Sequence, residues 1–294
     1  MEIKQKIIIL FFFFYGCTSN PFWEDQPTKK VNISGVVVAE GRTSSAPVYI
    51  WIEDLDVSDY ADTTGSFSID IPSLETENGN FSGSVRVFYY IHNYIAQHSD
   101  LYITDGRLTS AQTDFDDDGS LLDTIRLKKL VSLELGIEPS WNRSAGDSIT
   151  FRMELGINDR PVTIFSHVNQ ISGQQGYEPS GVLFSLIEDK DATYFDDNKI
   201  DFLQRYDFEP WSSITWTYNI APDDLVPFVI DDYISIDEQS VSPGYYRVLP
   251  FLFIQQNEVP DKLVQSIGIL EVSNISTDFL NMPLDMLEKT ISIE

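Results

Sequence analysis

The chain has 294 residues, with 46 acidic against 19 basic side chains, a formal charge of −27, three histidines and one cysteine. An acidity this strong, with no cluster of lysine and arginine, argues against nucleic acid as a partner because phosphates would be repelled. At 42% hydrophobic and 13% aromatic the composition is that of a folded protein, and a single cysteine means that packing rather than internal disulfides must hold it.

In chain order, the first feature is MEIKQKIIILFFFFYGC. Lys4 and Lys6 make a short basic start, Ile7 to Tyr15 an apolar run, and Gly16 places a small residue directly before Cys17. That is the layout of a secretory signal. The run is short of the ~20 residues a spanning helix needs, and no later segment approaches that length, so the expectation is export without a second crossing. Gly16-Cys17 after such a run resembles a bacterial lipoprotein signal. The resemblance implies that the chain is cut before Cys17, that the Cys17 thiol is lipidated, and that the protein is anchored to the bacterial membrane, at the outer membrane or cell surface.

Removing residues 1–16 leaves 278 residues (294 − 16), enough for two domains of ordinary size. The signal holds Lys4, Lys6 and Glu2, a net of +1, so the remainder carries −28 (−27 − 1), and attachment to lipid must come from acyl chains, not from a basic patch. Residues 17–30 follow as a lipidated tether, TSNPFWEDQPTKK after the cysteine. Its thirteen residues reach at most about 43 Å. Phe22 and Trp23 within it are expected to pack on the first domain or dip among headgroups.

From Val31 the chain reads as strands separated by turns. VNISGVVVAEG is β-branched, PVYIWIEDL opens at a proline, and DTTGSFSIDIP alternates Phe67, Ile69 and Ile71 against Ser66, Ser68 and Asp70. SVRVFYYI, LYITDGRL and LLDTIRLKK continue the pattern. The series Ile33-Ser34-Gly35-Val36-Val37, Ala46-Pro47-Val48-Tyr49-Ile50 and Asp62-Thr63-Thr64-Gly65-Ser66-Phe67, ending at Ile71-Pro72, resembles the carboxypeptidase regulatory-like, transthyretin-like β-sandwich family. The resemblance covers residues 31–128, and the domain is expected over 31–129. It implies a non-catalytic accessory module of an exported protein, in which the Thr-x-Gly-x-Phe turn closes a hairpin. No HxxE pair suggests a zinc peptidase.

Residues 130–294 read as a second β-sandwich, Ig-like or related. Val131, Leu133, Leu135 and Ile137 alternate, and Ile149, Phe151, Met153 and Leu155 do so again. PVTIF, GVLFSLI, SITWTYNI, YYRVLPFLFI and SIGILEV supply further strands, with short helices considered at APDDLVPFV, PDKLVQS and NMPLDMLEKT. The expected fold class is therefore all-β, two tandem sandwiches behind a signal and tether.

The most specific local motif is Asp114-Phe115-Asp116-Asp117-Asp118-Gly119-Ser120. Carboxylates on alternate residues before a glycine that permits a sharp turn suit calcium, with Asp114, Asp116, Asp118, Ser120 and Asp123 as candidate ligands. Position twelve of the loop is Ile125, where an EF-hand has glutamate, and a solvated acidic turn between strands explains the same pattern. Asp196, Asp197, Asn198 and Asp201 lack the glycine and read as a solvated loop. Among the tryptophans, Trp51 and Trp216 fall in strands and are expected in the core. Trp141 and Trp211 fall at turn-like places and are the candidate ligand-binding indoles for a glycan.

The catalytic inventory is thin. His92, His98 and His167 are the only histidines, and neither G-x-S-x-G nor H-E-x-x-H occurs. The reading is a non-catalytic binding or structural module of the cell envelope whose partner is a glycan or an envelope protein, with calcium as the one cofactor in view. Two alternatives stay open: a carbohydrate-active or other hydrolytic enzyme using paired carboxylates, and a subunit of a larger envelope assembly.

Overall fold

The computed structural model describes residues 31–294 except 43–45, 73–74, 77–78, 111–112, 138–139, 142–148, 171–176, 180–181, 187–192, 196–201, 221–225, 228–243, 251, 270–278, 280, 286–288 and 294. The signal, Cys17 and the tether lie outside the described residues.

Between residues 31 and 127 the strands are β1 (Val31–Ala39), β2 (Tyr49–Ile52), β3 (Val57–Tyr60), β4 (Ser66–Ile71), β5 (Glu75–Thr76), β6 (Gly79–Asn80), β7 (Gly83–Tyr90), β8 (Gln97–Thr104), β9 (Arg107–Leu108) and β10 (Ile125–Leu127). One sheet has the order β10-β1-β4, with β10 parallel and β4 antiparallel to β1. The other is antiparallel in the order β3-β2-β7-β8-β9. Alternation decides which side chains lie between them: Phe67, Ile69 and Ile71 of β4 are buried while Ser66, Ser68 and Asp70 face out. They meet Ile33 and Val37 of β1 and Ile50, Val87, Tyr89 and Leu101 of the facing sheet in one core.

After residue 130 come β11 (Val131–Ile137), β12 (Ser140–Trp141), β13 (Ile149–Ile157), β14 (Val162–Gln170), β15 (Tyr177–Pro179), β16 (Val182–Leu186), β17 (Thr193–Phe195), β18 (Phe202–Phe208) and β19 (Ser213–Ile220). They are followed by β20 (Val226–Pro227), β21 (Gly244–Pro250), β22 (Leu252–Gln255), the short helix α1 (Asp261–Ser266) and β23 (Lys289–Ile293). The sheets are β11-β13-β19, β12-β23-β21-β16-β17-β20, and β15-β14-β18 with β22 also on β14. Their inward residues, among them Leu133, Leu155, Ile164, Tyr246, Val248 and Ile291, share a second core. The molecule is all-β with sandwich packing. Among the described residues, every strand pairing stays within 31–127 or within 131–293.

What joins the two groups of sheets is the outer face of β2 and β7. The outer face of an antiparallel sheet is commonly solvated and polar. Here it is aromatic: Tyr49, Trp51, Phe88 and Tyr90 point away from the first core and are buried against Leu263, Ile267, Ile269 and Met282. β2 is consequently buried on both faces along its whole length. Tyr49 Oη and Ser266 Oγ are 2.9 Å apart, and Trp51 Nε1 donates to Asp56 Oδ1 at 3.3 Å, so the polar atoms of this face also have partners.

Two expectations for the C-terminal region are corrected. SIGILEV does not begin as a strand, because Ser266 ends α1 and Ile267–Gly268 form a turn with Gly268 at φ 102. In NMPLDMLEKT the expected helix is absent from the described part after Asn281, which lies in a 3-10 turn: residues 283–285 run without regular structure and Lys289 starts β23, while 286–288 lie outside the described residues. Pro283 cannot give a helical N–H, and the backbone there is taken up by bonds to the first sandwich. PDKLVQS does form its helix, and of APDDLVPFV only Val226–Pro227, a strand, lies among the described residues.

At six residues α1 is too short to be stable alone, and its N-cap, Pro260, makes no side-chain capping bond. The fully buried Leu263 therefore holds it in place. Leu263→Ala is expected to cost about 2–4 kcal/mol in denaturant unfolding; a loss within experimental error would show that α1 is held by something else.

Candidate functional site

The Asp114–Ser120 loop folds as a tight hairpin, with isolated bridges joining Phe115 to Leu121 and Ser34 to Ser120. Asp116 Oδ1 accepts the backbone N–H groups of Asp118 (3.0 Å) and Ser120 (2.7 Å). Asp114 Oδ2 accepts Asp100 N–H at 2.8 Å, and Asp117 Oδ1 accepts Ser110 N–H at 3.1 Å. Asp114 and Asp116, two of the candidate calcium ligands, thus each bind a different part of the backbone. Among the described residues, no group of three or more histidine, cysteine, aspartate or glutamate side chains is placed to hold one metal ion.

A second turn shows what this motif does. In Asp62-Thr63-Thr64-Gly65-Ser66, Asp62 Oδ1 accepts Thr64 N–H (2.8 Å), Thr64 Oγ1–H (2.7 Å) and Ser66 N–H (2.9 Å). These bonds hold the Asp62 carboxyl below its usual range, the Thr64 hydroxyl contributing most. The main-chain bonds repeat as well: Gly65 N to Asp62 O mirrors Gly119 N to Asp116 O, both 3.0 Å. Each glycine carbonyl then accepts from β1, Gly65 O from Val37 N and Gly119 O from Ser34 N. D-x-x-G-S is used twice to tie a turn to the same strand. Thr64 stands in one copy where Asp118 stands in the other, so the carboxylate at that position is not needed for the turn.

Of the candidate indoles, Trp211 is 76% exposed on the turn between β18 and β19. Trp141 pairs with Ile293 in β12, and its side chain lies outside the described residues, as does that of Trp216 in β19. Trp51 is buried as expected, though in the junction and not inside a sandwich. The Asp196–Asp201 cluster lies outside the described residues.

The densest polar chemistry lies in Ile91–Ala96 between β7 and β8, where the sequence offered His92 only as one of three isolated histidines. His92 is fully buried. Its Nε2 lies 2.9 Å from Ile254 N and 3.1 Å from Leu252 O, and its Nδ1 lies 2.8 Å from Tyr90 Oη. A buried N–H without an acceptor is rarer than a carbonyl with a lone pair to spare. We therefore assign Nε2 as the acceptor from Ile254 and place the ring proton on Nδ1, donated to Tyr90. Tyr90 O–H then points to Met282 Sδ, 3.8 Å away. Burial pushes the His92 pKa down to about 4, and the Leu252 carbonyl, which would accept a second ring proton, opposes this only in part.

The next residues extend the network. Asn93 Nδ2 donates to Asp285 O (2.8 Å) and Asn93 Oδ1 accepts Asp285 N–H (3.1 Å), a reciprocal pair. The Asp285 carboxylate is wholly enclosed and takes Tyr94 O–H and Lys129 Nζ, each at 2.7 Å through Oδ2. Burial, then the bond to Asp285, pushes the Tyr94 phenol up. Gln256 donates to Tyr94 O (2.7 Å) and accepts Ala96 N–H (3.0 Å). The sequence signal was present in YYIHNYIA, where histidine and asparagine interrupt an apolar run, and in the unpaired-looking acid of PLDM. Their partners, 160 to 192 residues away in sequence, were not legible. His98, by contrast, is exposed on β8 beside the Phe88 ring.

No family model matches this chain, and no curated protein matches it. Among solved structures it is similar to a chain of the Bacillus anthracis TIE protein at 6% identity over 77% of this chain and 31% of the other, with a TM-score of 0.21. A superposition that loose carries no argument about fold or function.

Two outcomes test these assignments. A Cβ on Gly119 would sit 2.0 Å from Asn32 O, and one on Gly65 2.1 Å from Val37 O, with both residues at φ 86. Gly119→Ala and Gly65→Ala are each expected to cost at least about 2 kcal/mol in denaturant unfolding. For His92, the folded pKa lies below the unfolded value, so its contribution is complete above pH 6.5 and is lost as pH falls toward 4. Between pH 7.5 and 5.5 the parent should lose about 1 kcal/mol more stability than His92→Gln, whose amide oxygen still accepts from Ile254. Equal losses in the two proteins would contradict a neutral buried ring.

Proposed function

We propose that this is a lipid-anchored protein of the bacterial cell envelope that acts as a non-catalytic binding or structural module. On this reading residues 31–129 form an accessory sandwich of the carboxypeptidase regulatory-like, transthyretin-like kind, and 130–294 a second, Ig-like unit. The observation that carries the proposal is the junction. A fully buried aromatic face and an enclosed Asp285–Lys129–Tyr94 cluster lock the two groups of sheets together, as suits a rigid body that presents a surface. A second support is the fate of the unusual titratable groups: His92, Tyr90, Tyr94 and Asp285 are buried and their polar atoms are engaged in holding that junction. The lipoprotein-like start supplies the address, and the acidic surface supplies solubility without adhesion to anionic lipid.

Detergent partitioning and intact mass of the full chain expressed in a bacterium, compared with Cys17→Ser, test the anchor. The parent is expected to enter the detergent phase with an added diacylglyceryl mass and an amino terminus at Cys17, and Cys17→Ser is expected to do neither. A parent that stays aqueous and is cut elsewhere overturns the anchored reading.

A further inference from the structure

Trp211 is the most exposed large apolar side chain among the described residues. It also sits at φ 65, a left-handed conformation that a bulky side chain rarely adopts. The chain holds it there firmly. Trp211 N–H is shared between Ile157 O (3.0 Å) and Asn158 O (3.3 Å), Ile157 N–H donates to Ser212 O (2.9 Å), and Ser212 Oγ donates to Glu209 O (2.6 Å). The mount is itself tied to the link between the two units, because Asn158 donates through its N–H to Leu130 O (3.0 Å) and through Nδ2 to Lys129 O (2.9 Å). A strained backbone and an apolar ring in water are both unfavourable, and neither contributes to a core. Together they mark a side chain kept for what it touches outside the molecule.

The surroundings narrow the class of ligand. On β18 the exposed residues Arg205 and Asp207 are two apart and share one face; Glu209, exposed one residue past the end of the strand, leads on into the Trp211 turn, and Asp159 is exposed beside Asn158. Thr163 Oγ1 and Arg205 Nε both donate to Asp207, which keeps that row ordered. The exposed residues on the segments that hold Trp211 are hydrogen-bonding groups, unlike the apolar patch that a protein interface buries. A sugar ring has the matching chemistry, with an apolar C–H face to stack on the indole and hydroxyls at its edge to donate to Glu209 and Asp159. The charge of −27 disfavours polyanionic glycans.

We propose that Trp211, flanked by Glu209 and Asp159, is a stacking platform for a neutral saccharide. The proposal rests on the binding-module reading above and names its ligand class.

The test is affinity electrophoresis of the full chain in a polyoxyethylene detergent, since glucoside detergents would compete. The gels contain in turn barley β-glucan, xylan, glucomannan, galactomannan and starch, and the parent is compared with Trp211→Gly and Trp211→Phe. Glycine adopts φ 65 without strain, so Trp211→Gly should unfold at a midpoint equal to or above that of the parent, and lost binding cannot then be ascribed to lost folding. Retardation of the parent by at least one neutral polysaccharide, weakened at least ten-fold in Trp211→Gly and less in Trp211→Phe, is the expected result. No retardation by any of them, or retardation unchanged in Trp211→Gly, overturns the platform. So does a dimer in sedimentation velocity that Trp211→Gly converts to monomer, which would make a second copy of the chain the occupant. The Cys17 experiment is independent of these gels, so an anchored protein that ignores every polysaccharide loses the platform and keeps the anchor.

Discussion

The structure depends on an enclosed polar seam at Ile91–Ala96, where a six-residue connection between two strands of one sheet makes most of its bonds to the other half of the molecule. His92 N–H donates to Pro283 O, Ala96 N–H to Gln256 Oε1, and Asn93 O accepts from Leu130 and Val131, while Ile95 N–H donates to Lys128 O at the end of the first unit. Asn93 and Asp285 exchange a pair of hydrogen bonds, and the buried Asp285 carboxylate faces Lys129. Moving charges out of water is costly, and a pair like this is tolerated only when the remaining bonds are satisfied. Once made, it resists opening, because separating the halves would strand a buried carboxylate. Apolar contacts alone tolerate sliding. A seam of directed bonds admits one register.

The aromatic face beside that seam supplies the driving force that the polar bonds do not. Trp51, Phe88, Tyr49 and Tyr90 are removed from water by a single short helix and the chain that follows it, at about 1.5–3 kcal/mol for each large side chain. This arrangement explains why β2 and the second half of β7 are continuously apolar, while the first half of β7 alternates. It also links the core to the surface: the Lys129–Leu130 carbonyls that lie next to the seam hold Asn158, and Asn158 holds the turn that presents Trp211. A rigid centre thereby sets the position of an exposed ring.

The paired D-x-x-G-S turns show how one local solution is used twice. Both place a glycine where a β1 carbonyl leaves no room for a side chain, and both let an aspartate accept the N–H groups that a tight turn leaves unpaired. Read alone, the acidic copy has the spacing of a cation loop. Its threonine-containing twin shows that the hairpin itself requires Asp116, Gly119 and Ser120 of that spacing, and not the carboxylates of Asp114 and Asp118.

The sequence by itself determined the all-β class, the places of most strands and the two tight turns. Those follow from side-chain period, β-branching and glycine or aspartate at fixed offsets, which are local properties. It also determined the strong negative charge. Only the tertiary structure decided that Trp51 faces a second unit and not its own sandwich core, that residues 283–285 run without regular structure instead of as helix, and that His92 is a neutral structural ring. It likewise decided that, among the described side chains, Trp211 stands out in solvent. Each of these depends on what lies across a gap of many tens of residues, and periodicity within a strand says which face a side chain takes without saying what will cover that face.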